Sequence, residues 1–394
     1  MEGDKNIIKD IIVISSGSYP YGGAATNRHL SYLRGLAENS INTTLLVISP
    51  DNKQSKKSNS RDTKYKGIRI KYTCPRLFLN SKQIKRINYI FGVLQSFIFL
   101  LFYRNKNEGK KILLLLITKP FLLLFYIFFG HLMGYKVVHE RTEYPFLSMK
   151  NKTLKFYLNK VIPRFDGIFV ITYALKRYFA AYTKKAVFVL PMNVEMERFS
   201  VNKEINVEPY IAYCGSMYTD KDGVPQLIKA FDKVSTYYPE LKLYLIGDNS
   251  DYNRFKFIKT EIDNSISKER IICTGIVDRD KMPQLLKNAK ILALARPDNI
   301  QAQGGFPTKL GEYLATGNPV VITDVGEHSL YLTDGISAMI AKPDSTEAFS
   351  KKLKYLLDNQ EKAKEIGYNG KNVAYKYFDY KGQSDKLIGF LNEL

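Results

Sequence analysis

The sequence predicts an α/β protein with two doubly wound, Rossmann-like domains. Two observations support this prediction. Short runs of β-branched and apolar residues recur along the 394 residues, and segments of helical length follow them. The polar stretch 200–208 lacks apolar periodicity and separates two such series, so we predict domains at 1–200 and 201–394, with a final helix that could pack back on the first domain.

The first half begins with a strand, a glycine loop, a helix and a second strand, predicted at 7–15, 17–23, 24–38 and 43–48. The loop lacks a full GxGxxG pattern and the second strand does not end in an acidic residue, which disfavours a dehydrogenase. The polar segment 51–64 is predicted to be a mobile loop. Further strands are predicted at 111–118, 135–139, 166–172 and 186–190, with a helix at 173–182.

Two segments, 87–103 and 120–135, are apolar and uncharged. A helix that is apolar on all sides is either buried or faces a membrane, and both possibilities stay open at this point. Residues 1–200 hold 33 basic and 12 acidic residues, whereas the remainder of the chain is balanced. We therefore expect the first half to meet an anionic membrane surface. Nucleic acid is disfavoured because no recognised motif accompanies the charge.

The second half repeats the alternation, with strands predicted at 210–214, 241–246, 270–274, 291–295 and 320–323. Helices are predicted at 223–237, 253–265, 281–288, 346–357, 360–378 and 382–394. In sheets of this kind ligands bind beyond the carboxyl ends of the strands, so the loops there are candidate site segments.

The run 304–321 is the most informative segment, because it predicts a loop, a helix, a stop and a buried strand. Pro307 suits the first helical turn, and the start of a helix can hold phosphate. Lys309 adds a cation there, and Glu312, one turn further on, is an acceptor for sugar hydroxyls. An ordinary surface helix remains the alternative.

Two other loops carry candidate phosphate-binding cations. Lys221 lies near a predicted helix start, and Arg296 follows a predicted buried strand. His139 and Glu140 resemble the start of a zinc motif, but the second histidine is missing, so no metal site is predicted. The segment 278–280 has a DxD pattern that we interpret as a helix N-cap.

The chain has three cysteines without a CxxC pair and a start that lacks a signal-peptide pattern. Both features lead us to expect a cytoplasmic protein.

Several of these segments together resemble the retaining glycosyltransferases of family 4, which have the GT-B fold with two domains facing each other across a cleft. The similarity covers nearly the whole chain. It is carried by the glycine loop 20–25, the segments 166–172 and 190–195 with Arg198 and Phe199, and the motifs 215–223 and 304–321.

The resemblance implies a set of site residues. Glu312 would hold the ribose, Lys221 the diphosphate, and His139 would lie near the donor sugar. Gly23 would offer a backbone N–H near the phosphates. The other implied donor-site residues are Gly275 and Ile276 beside the base, with Gly305, Phe306, Thr308, Lys309 and Leu310.

Two departures from the family pattern concern charge. Ser216 stands where the family has a diphosphate-binding arginine, and Gly304 stands where it has a glutamate that touches the donor sugar. We expect Arg296 or Lys309 to supply the missing positive charge.

The resemblance implies transfer of a sugar from a UDP- or GDP-linked nucleotide sugar, with retention and without a metal or another cofactor. The expected acceptor is a lipid-linked glycan at the inner face of the cell membrane, in capsule, lipopolysaccharide or related surface polysaccharide synthesis. Two alternatives stay open, a GT-B nucleotide-sugar epimerase and a non-catalytic, membrane-associated protein that binds glycans or nucleotide sugars.

Overall fold

In a computed structural model, residues 7–49, 60–75, 81–103, 109–205, 207–218 and 220–394 are described. The chain forms two compact units. The first contains Met1–Pro191 together with Tyr380–Leu394, and the second contains Met192–Asp379. The predicted linker 200–208 falls inside the second unit.

The first unit is built on an eight-stranded sheet. Its strands are β1 (Ile8–Ser15), β2 (Asn42–Val47), β3 (Asp62–Tyr65), β4 (Ile68–Tyr72), β5 (Lys110–Leu116), β6 (Lys136–Arg141), β7 (Gly167–Val170) and β8 (Ala186–Val189). Its helices are α1 (Ala24–Glu38), α2 (Lys82–Tyr103), α3 (Pro120–Leu132), α4 (Asn151–Phe156), α5 (Tyr173–Ala180) and the C-terminal α13 (Tyr380–Asn392). The strand order is β3-β4-β2-β1-β5-β6-β7-β8.

The centre of this sheet is parallel and fully buried. Val13 of β1 pairs with Leu45 of β2 on one side and with Leu114 of β5 on the other. Uninterrupted apolar strands of this kind are typical of a sheet that is covered on both faces. Helix α13 packs against α1 at Gly35, where a Cβ would overlap the Ser384 side chain.

The predicted loop 51–64 is only partly within the described residues, since 50–59 lie outside them. Residues 62–65 form β3, which pairs with β4 in an antiparallel hairpin. The turn residues Lys66 and Gly67 have φ values of 47° and 83°, as a two-residue hairpin turn requires. The prediction was wrong at this point because alternating polar residues form an edge strand here.

The second unit is built on a six-stranded parallel sheet. Its strands are β9 (Tyr210–Cys214), β10 (Lys242–Ile246), β11 (Ile271–Gly275), β12 (Ile291–Leu294), β13 (Val320–Thr323) and β14 (Met339–Ala341). Its helices are α6 (Val224–Ser235), α7 (Tyr252–Asp263), α8 (Met282–Asn288), α9 (Ile300–Gly304), α10 (Thr308–Ala315), α11 (Thr346–Asp358) and α12 (Gln360–Phe378). The strand order is β11-β10-β9-β12-β13-β14.

Strand β9 lies inside this sheet between β10 and β12. Tyr213 pairs with Leu245 of β10, and Ile211 pairs with Ile291 of β12. Because neighbouring strands are parallel, the segments that follow β9 and β12 emerge at the same edge of the sheet. These two segments carry Ser216 and Arg296.

Candidate functional site

Most of the predicted donor-site residues lie at the carboxyl edge of the second sheet. Ser216 follows β9, Arg296 follows β12, and Lys309 and Glu312 lie on α10. The folded chain therefore brings together the two predicted motifs, 215–223 and 304–321.

Lys309 is held by the carboxylate of Asp222, for which the sequence predicted no role. Its ammonium group forms an ion pair with Asp222 and lies 3.3 Å from the hydroxyl of Tyr213. The same ammonium lies 4.7 Å from the centre of the Tyr213 ring, a cation–π distance. A Cβ at Gly215 would overlap this ammonium, so the glycine makes the approach possible.

Arg296 is buried beneath this pair. Its Nε lies 3.6 Å from the Asp222 carboxylate and 3.5 Å from the backbone carbonyl of Lys221. Burial alone would raise the pKa of Asp222, but the charges of Lys309 and Arg296 outweigh burial and lower it. Asp222 therefore offsets one of the two positive charges. With only 2% of its side chain exposed, Arg296 positions the loop, whereas Lys309 is the more accessible cation.

The loop that carries Lys221 is shaped by a glycine. Lys221 lies in a short 3-10 turn, Asp220–Asp222, and Gly223 follows with a φ of +69°. A Cβ at Gly223 would overlap the carbonyl oxygen of Ala295, at the end of β12. Only glycine lets the loop cross the strand end this closely before α6 begins.

Glu312 accepts a hydrogen bond from Arg198, for which the sequence predicted no role. The Nη1 of Arg198 lies 3.2 Å from Glu312 Oε1, and its Nη2 donates to the carbonyl of Arg279 at 3.1 Å. Arg279 in turn pairs with the buried Glu195 at 2.9 Å. These links fix the direction of the Glu312 carboxylate. Arg198 belongs to a segment that carries the family resemblance, but its pairing with Glu312, 114 positions away, cannot be predicted from one sequence.

The beginning of α10 differs in detail from the prediction. Pro307 is the N-cap, with φ −72° and ψ 112°, and Thr308 is the first helical residue. The Phe306 ring is buried and lies 5.3 Å from the ring of His328, while Leu310 is fully buried. Their side chains therefore belong to the core, and only their backbone is available to a ligand. Gly305 links α9 to this turn.

The remaining predicted residues of the second unit lie at the same edge. Ser216 is exposed, and its backbone carbonyl accepts a 2.8 Å hydrogen bond from Tyr213. Gly275 ends β11 with a φ of +71°, and Ile276 after it is 71% exposed. An exposed apolar side chain at this edge is compatible with a base contact.

In the first unit, the structure corrects the role predicted for His139. Its ring is completely buried and stacks on Phe165, with ring centres 4.8 Å apart. Nδ1 lies 2.8 Å from the carbonyl of Leu115, and Nε2 lies 2.8 Å from the hydroxyl of Tyr157. Burial, with the nearby charge of Arg141, lowers the pKa of His139 to about 3. His139 is therefore a neutral core histidine, without surface to offer a donor sugar.

Gly23, for which the resemblance implies a backbone N–H near the phosphates, lies at the start of α1. It is the exposed N-cap of α1, and a Cβ there would meet nothing within 4 Å. The preceding Gly22 is different, because a Cβ there would overlap the hydroxyl of Thr26. The first N–H groups of a helix have no partner within the helix, so the start of α1, which follows β1, offers candidate donors.

Glu140, beside His139, is the centre of a buried polar cluster. It accepts hydrogen bonds from Arg28 at 2.8 Å and from Tyr32 at 3.0 Å, and it lies 3.1 Å from the Nε2 of His29. Burial alone would raise the pKa of Glu140, but Arg28 and His29 lower it to about 2. Arg28 also donates to the carbonyl of Leu190 at 2.8 Å, which ties α1 to the end of β8.

Within the described ranges, no group of three or more His, Cys, Asp or Glu side chains could hold a metal ion. The DxD segment 278–280 precedes α8, but the prediction that it caps the helix was wrong, because Lys281 is the N-cap and its side chain makes no capping hydrogen bond. The carbonyl of Asp278 accepts hydrogen bonds from the backbone N–H groups of Lys281 and Met282 at 3.0 and 3.1 Å.

The chain is similar to known glycosyltransferases. Residues 195–373 match a family model described as glycosyl transferases group 1. An uncharacterised glycosyltransferase of Methanocaldococcus jannaschii is 22% identical over 264 residues, which are 62% of this chain and 65% of the relative. One of Bacillus subtilis is 22% identical over 243 residues, 61% of this chain and 63% of the relative. The matched stretch thus spans less than two thirds of each relative.

Two solved structures are similar over almost the full chain. Sucrose-phosphate synthase from Thermosynechococcus elongatus has a TM-score of 0.76 at 13% identity, covering 98% of both chains. Anabaena HepE in complex with UDP has a TM-score of 0.70 at 15% identity, covering 98% of this chain and all of the other.

These findings confirm the predicted GT-B fold. The family match supports the group 1 glycosyltransferase superfamily for residues 195–373, and the two relatives carry glycosyltransferase names.

Proposed function

We propose that this chain is a retaining glycosyltransferase of family 4 that moves a sugar from a nucleotide sugar to a lipid-linked glycan. One observation carries the proposal. Lys309 and Glu312 lie three residues apart on α10 and so share a face, separated by about 4.5 Å along the helix axis. A cation and a carboxylate at this spacing suit the diphosphate and the adjoining ribose of one nucleotide.

The donor in this proposal is a UDP- or GDP-linked sugar. UDP is the first to test, because Anabaena HepE was crystallised with UDP and with UDP-glucose. The diphosphate would meet Lys309, Lys221 and the N–H groups at the start of α10. The exposed Ile276 and the backbone at Gly275 would flank the base.

The pairing of Glu312 with Arg198 fits a ribose contact. Arg198 occupies Oε1, and a carboxylate has acceptor capacity on its second oxygen for a ribose hydroxyl. Because Arg198 is itself anchored on the carbonyl of Arg279, Glu312 is oriented before the donor arrives. Preorganisation of this kind lowers the entropy cost of binding.

Catalysis in this proposal rests on the leaving diphosphate. As the glycosidic bond breaks, the diphosphate gains negative charge, which positioned cations and helix N–H groups stabilise. Gly304 has no side chain to act as a nucleophile where the family has a glutamate. We therefore propose a front-face reaction, in which a phosphate oxygen of the donor takes the proton of the acceptor hydroxyl and no metal takes part.

The acceptor and the location are part of the same proposal. The basic first half and its apolar helices suit an acceptor held at the cytoplasmic face of a membrane, as in surface polysaccharide synthesis. A non-catalytic protein that binds nucleotide sugars would use Glu312 and Lys309 for the same contacts, so formation of an extended glycan is the observation that separates the two functions.

The decisive experiment combines the full chain with UDP- and GDP-sugars and lipid-linked glycan extracts, with and without EDTA. We expect an extended glycan whose new linkage has the anomeric configuration of the donor by NMR, at an unchanged rate in EDTA. Inverted product, or free epimerised donor without an extended glycan, would contradict the proposal. Lys309→Gln should lower the rate of product formation by roughly a hundredfold or more, whereas the matched Lys233→Gln, exposed on α6, should leave it unchanged.

A further inference from the structure

Among the described residues, helix α2 carries an apolar face that is exposed. Within the described ranges, α2 is long and apolar enough to cross a membrane, yet only 17% of its most apolar window is buried. The exposed residues recur at helical spacing, and Phe102 is 78% exposed. They are Ile87, Ile90, Phe91, Leu94, Ile98, Leu101 and Phe102.

The exposed surface continues onto α3. Phe97 of α2 contacts Phe125 and Phe129 of α3, with ring centres 5.5 and 4.8 Å apart. Beyond this contact α3 exposes Phe121, Phe128 and Leu132. We call the exposed residues of α2 and α3 together the apolar face.

Basic residues lie beside the apolar face. Phe121 packs on Phe156 of α4, with ring centres 5.1 Å apart, so the segment 150–164 adjoins α3. This segment holds five basic residues and no acidic one, and its lysines are exposed. An exposed apolar helix face with cations beside it is the pattern of a surface that binds anionic lipid.

The opposite side of α2 is anchored to the protein. A Cβ at Gly92 would overlap the carbonyl oxygen of Ile48, and the Gly92 carbonyl accepts a 2.8 Å hydrogen bond from Thr73. The hydroxyls of Ser96 and Tyr126 are 2.6 Å apart. Crossing a membrane would break these contacts, so α2 fits a position along the bilayer surface rather than through it.

A groove opens on α3 within the same region. It has a volume of about 520 Å³ and is lined by Leu124, Ile127, Phe128, His131 and Arg164. The apolar walls of this groove suit the acyl or prenyl chain of a lipid, and the basic Arg164 suits its phosphate.

We infer that the apolar face and the segment 150–164 dock on an anionic lipid bilayer, with α2 lying in the interface. The inference deepens the proposed function by giving its lipid-linked acceptor a surface, although vesicle binding can be measured without any donor. If the chain binds vesicles but transfers no sugar, the docking inference holds and the proposed function fails. If it transfers sugar without binding vesicles, only the docking inference fails.

The test uses the chain's lack of tryptophan. Phe91→Trp places a single reporter on the apolar face, and Tyr237→Trp places one on an exposed site of the second unit. With phosphatidylglycerol vesicles at low salt, we expect a blue shift and quenching by brominated lipid for Phe91→Trp alone. No spectral change for Phe91→Trp, or equal quenching of both reporters, would overturn the inference.

A second pair of variants tests the energetics. Ile90→Glu with Leu94→Glu should weaken vesicle affinity tenfold or more, whereas Tyr368→Glu with Tyr375→Glu, exposed on α12, should not. Flotation should also fall in high salt and with neutral phosphatidylcholine. If the wild type fails to float and sediments as a dimer that the α2 variant dissociates, the apolar face binds a second copy and the inference is wrong.

Discussion

The carboxylate of Asp222 accepts a hydrogen bond from the ammonium group of Lys309, and this ion pair joins the two predicted motifs of the second unit. The Nε of Arg296 lies 3.6 Å from the same carboxylate. Arg296 and Lys309, of which one or the other was expected to replace the family's arginine, thus both lie beside Asp222. A held cation costs little reorganisation when charge develops on a leaving group, which is why such arrangements favour catalysis.

Removing this cation should impair the reaction more than it impairs folding. For Lys309→Gln we expect turnover to fall by roughly a hundredfold to a thousandfold, the range seen when one positioned donor to a developing anion is lost. Steady-state rates with the best donor measure the effect. Lys233→Gln is the matched control, since Lys233 forms an exposed pair with Glu347, and unchanged turnover in Lys309→Gln would exclude its role.

Asp222→Asn should lower the free energy of unfolding at neutral pH by about 3 kcal/mol, because Arg296 would keep its buried charge without a compensating carboxylate. The lowered pKa of Asp222 sets the pH dependence. The contribution of Asp222 is complete above the pKa of the unfolded chain, about 3.9, and is lost as the pH falls through the lower folded value. The free energies of unfolding of the wild type and Asp222→Asn, measured with urea, should therefore converge in strong acid. A difference that stays constant with pH would contradict this account.

Glu312→Gln should weaken nucleotide binding by about tenfold to a hundredfold, corresponding to a lost hydrogen bond to a charged group of about 1.5–3 kcal/mol. Arg198→Ala should act in the same direction, and the double variant should be less than additive because Arg198 acts through Glu312. Calorimetric titration with UDP and GDP gives the affinities of the wild type, the two single variants and the double variant. Strict additivity would show that the 3.2 Å contact does not orient Glu312.

His139 should matter for stability and not for turnover. The His139 pKa of about 3 and the His328 pKa of about 4 are both lowered by burial. Below about pH 6.5 the unfolded chain therefore binds more protons than the folded chain. As the pH falls from about 6.5 to the folded pKa values, the free energy of unfolding decreases by about 1.4 kcal/mol per pH unit for each histidine. In His139→Gln we expect lower stability, a shallower pH slope in urea unfolding and turnover within threefold of wild type. A hundredfold loss of turnover would instead support the predicted position of His139 near the donor sugar.

Gly223→Ala should destabilise the second unit by at least about 2 kcal/mol, since alanine is strained at a φ of +69° and its Cβ would overlap the Ala295 carbonyl. Gly389→Ala is the opposite case. Gly389 is exposed within α13, its Cβ would meet nothing within 4 Å, and we expect a gain of about 0.5–1 kcal/mol. Thermal melting of both variants checks the pair, and a neutral Gly223→Ala would contradict the loop geometry.

The sequence predicted elements best where local signals are strong. The bounds of α1, β9, α12 and β13 agree residue for residue, because each has clear periodicity or a continuous apolar run with breakers at its ends. Strands β3 and β4 were missed because their alternating charged residues look like loop composition. They gain strand structure from pairing at the edge of the sheet, which no local pattern reports.

The site shows a second limit. Lys309, Glu312 and Lys221 could be proposed from local motifs, but Asp222 and Arg198 act through partners 87 and 114 positions away. His139 shows the same limit in reverse, because its strand-end position looked accessible while Phe165 and Tyr157 enclose the ring. Burial and distant pairing come from packing of the whole unit.

Calorimetric titration of UDP and GDP into the wild type, Lys309→Gln and Glu312→Gln tests the central claim most directly. We expect one nucleotide to bind the wild type at a single site, with at least tenfold weaker binding in each variant and none of this loss in Lys233→Gln. Equal affinity in the wild type and both α10 variants would contradict the assignment of this helix as the donor site.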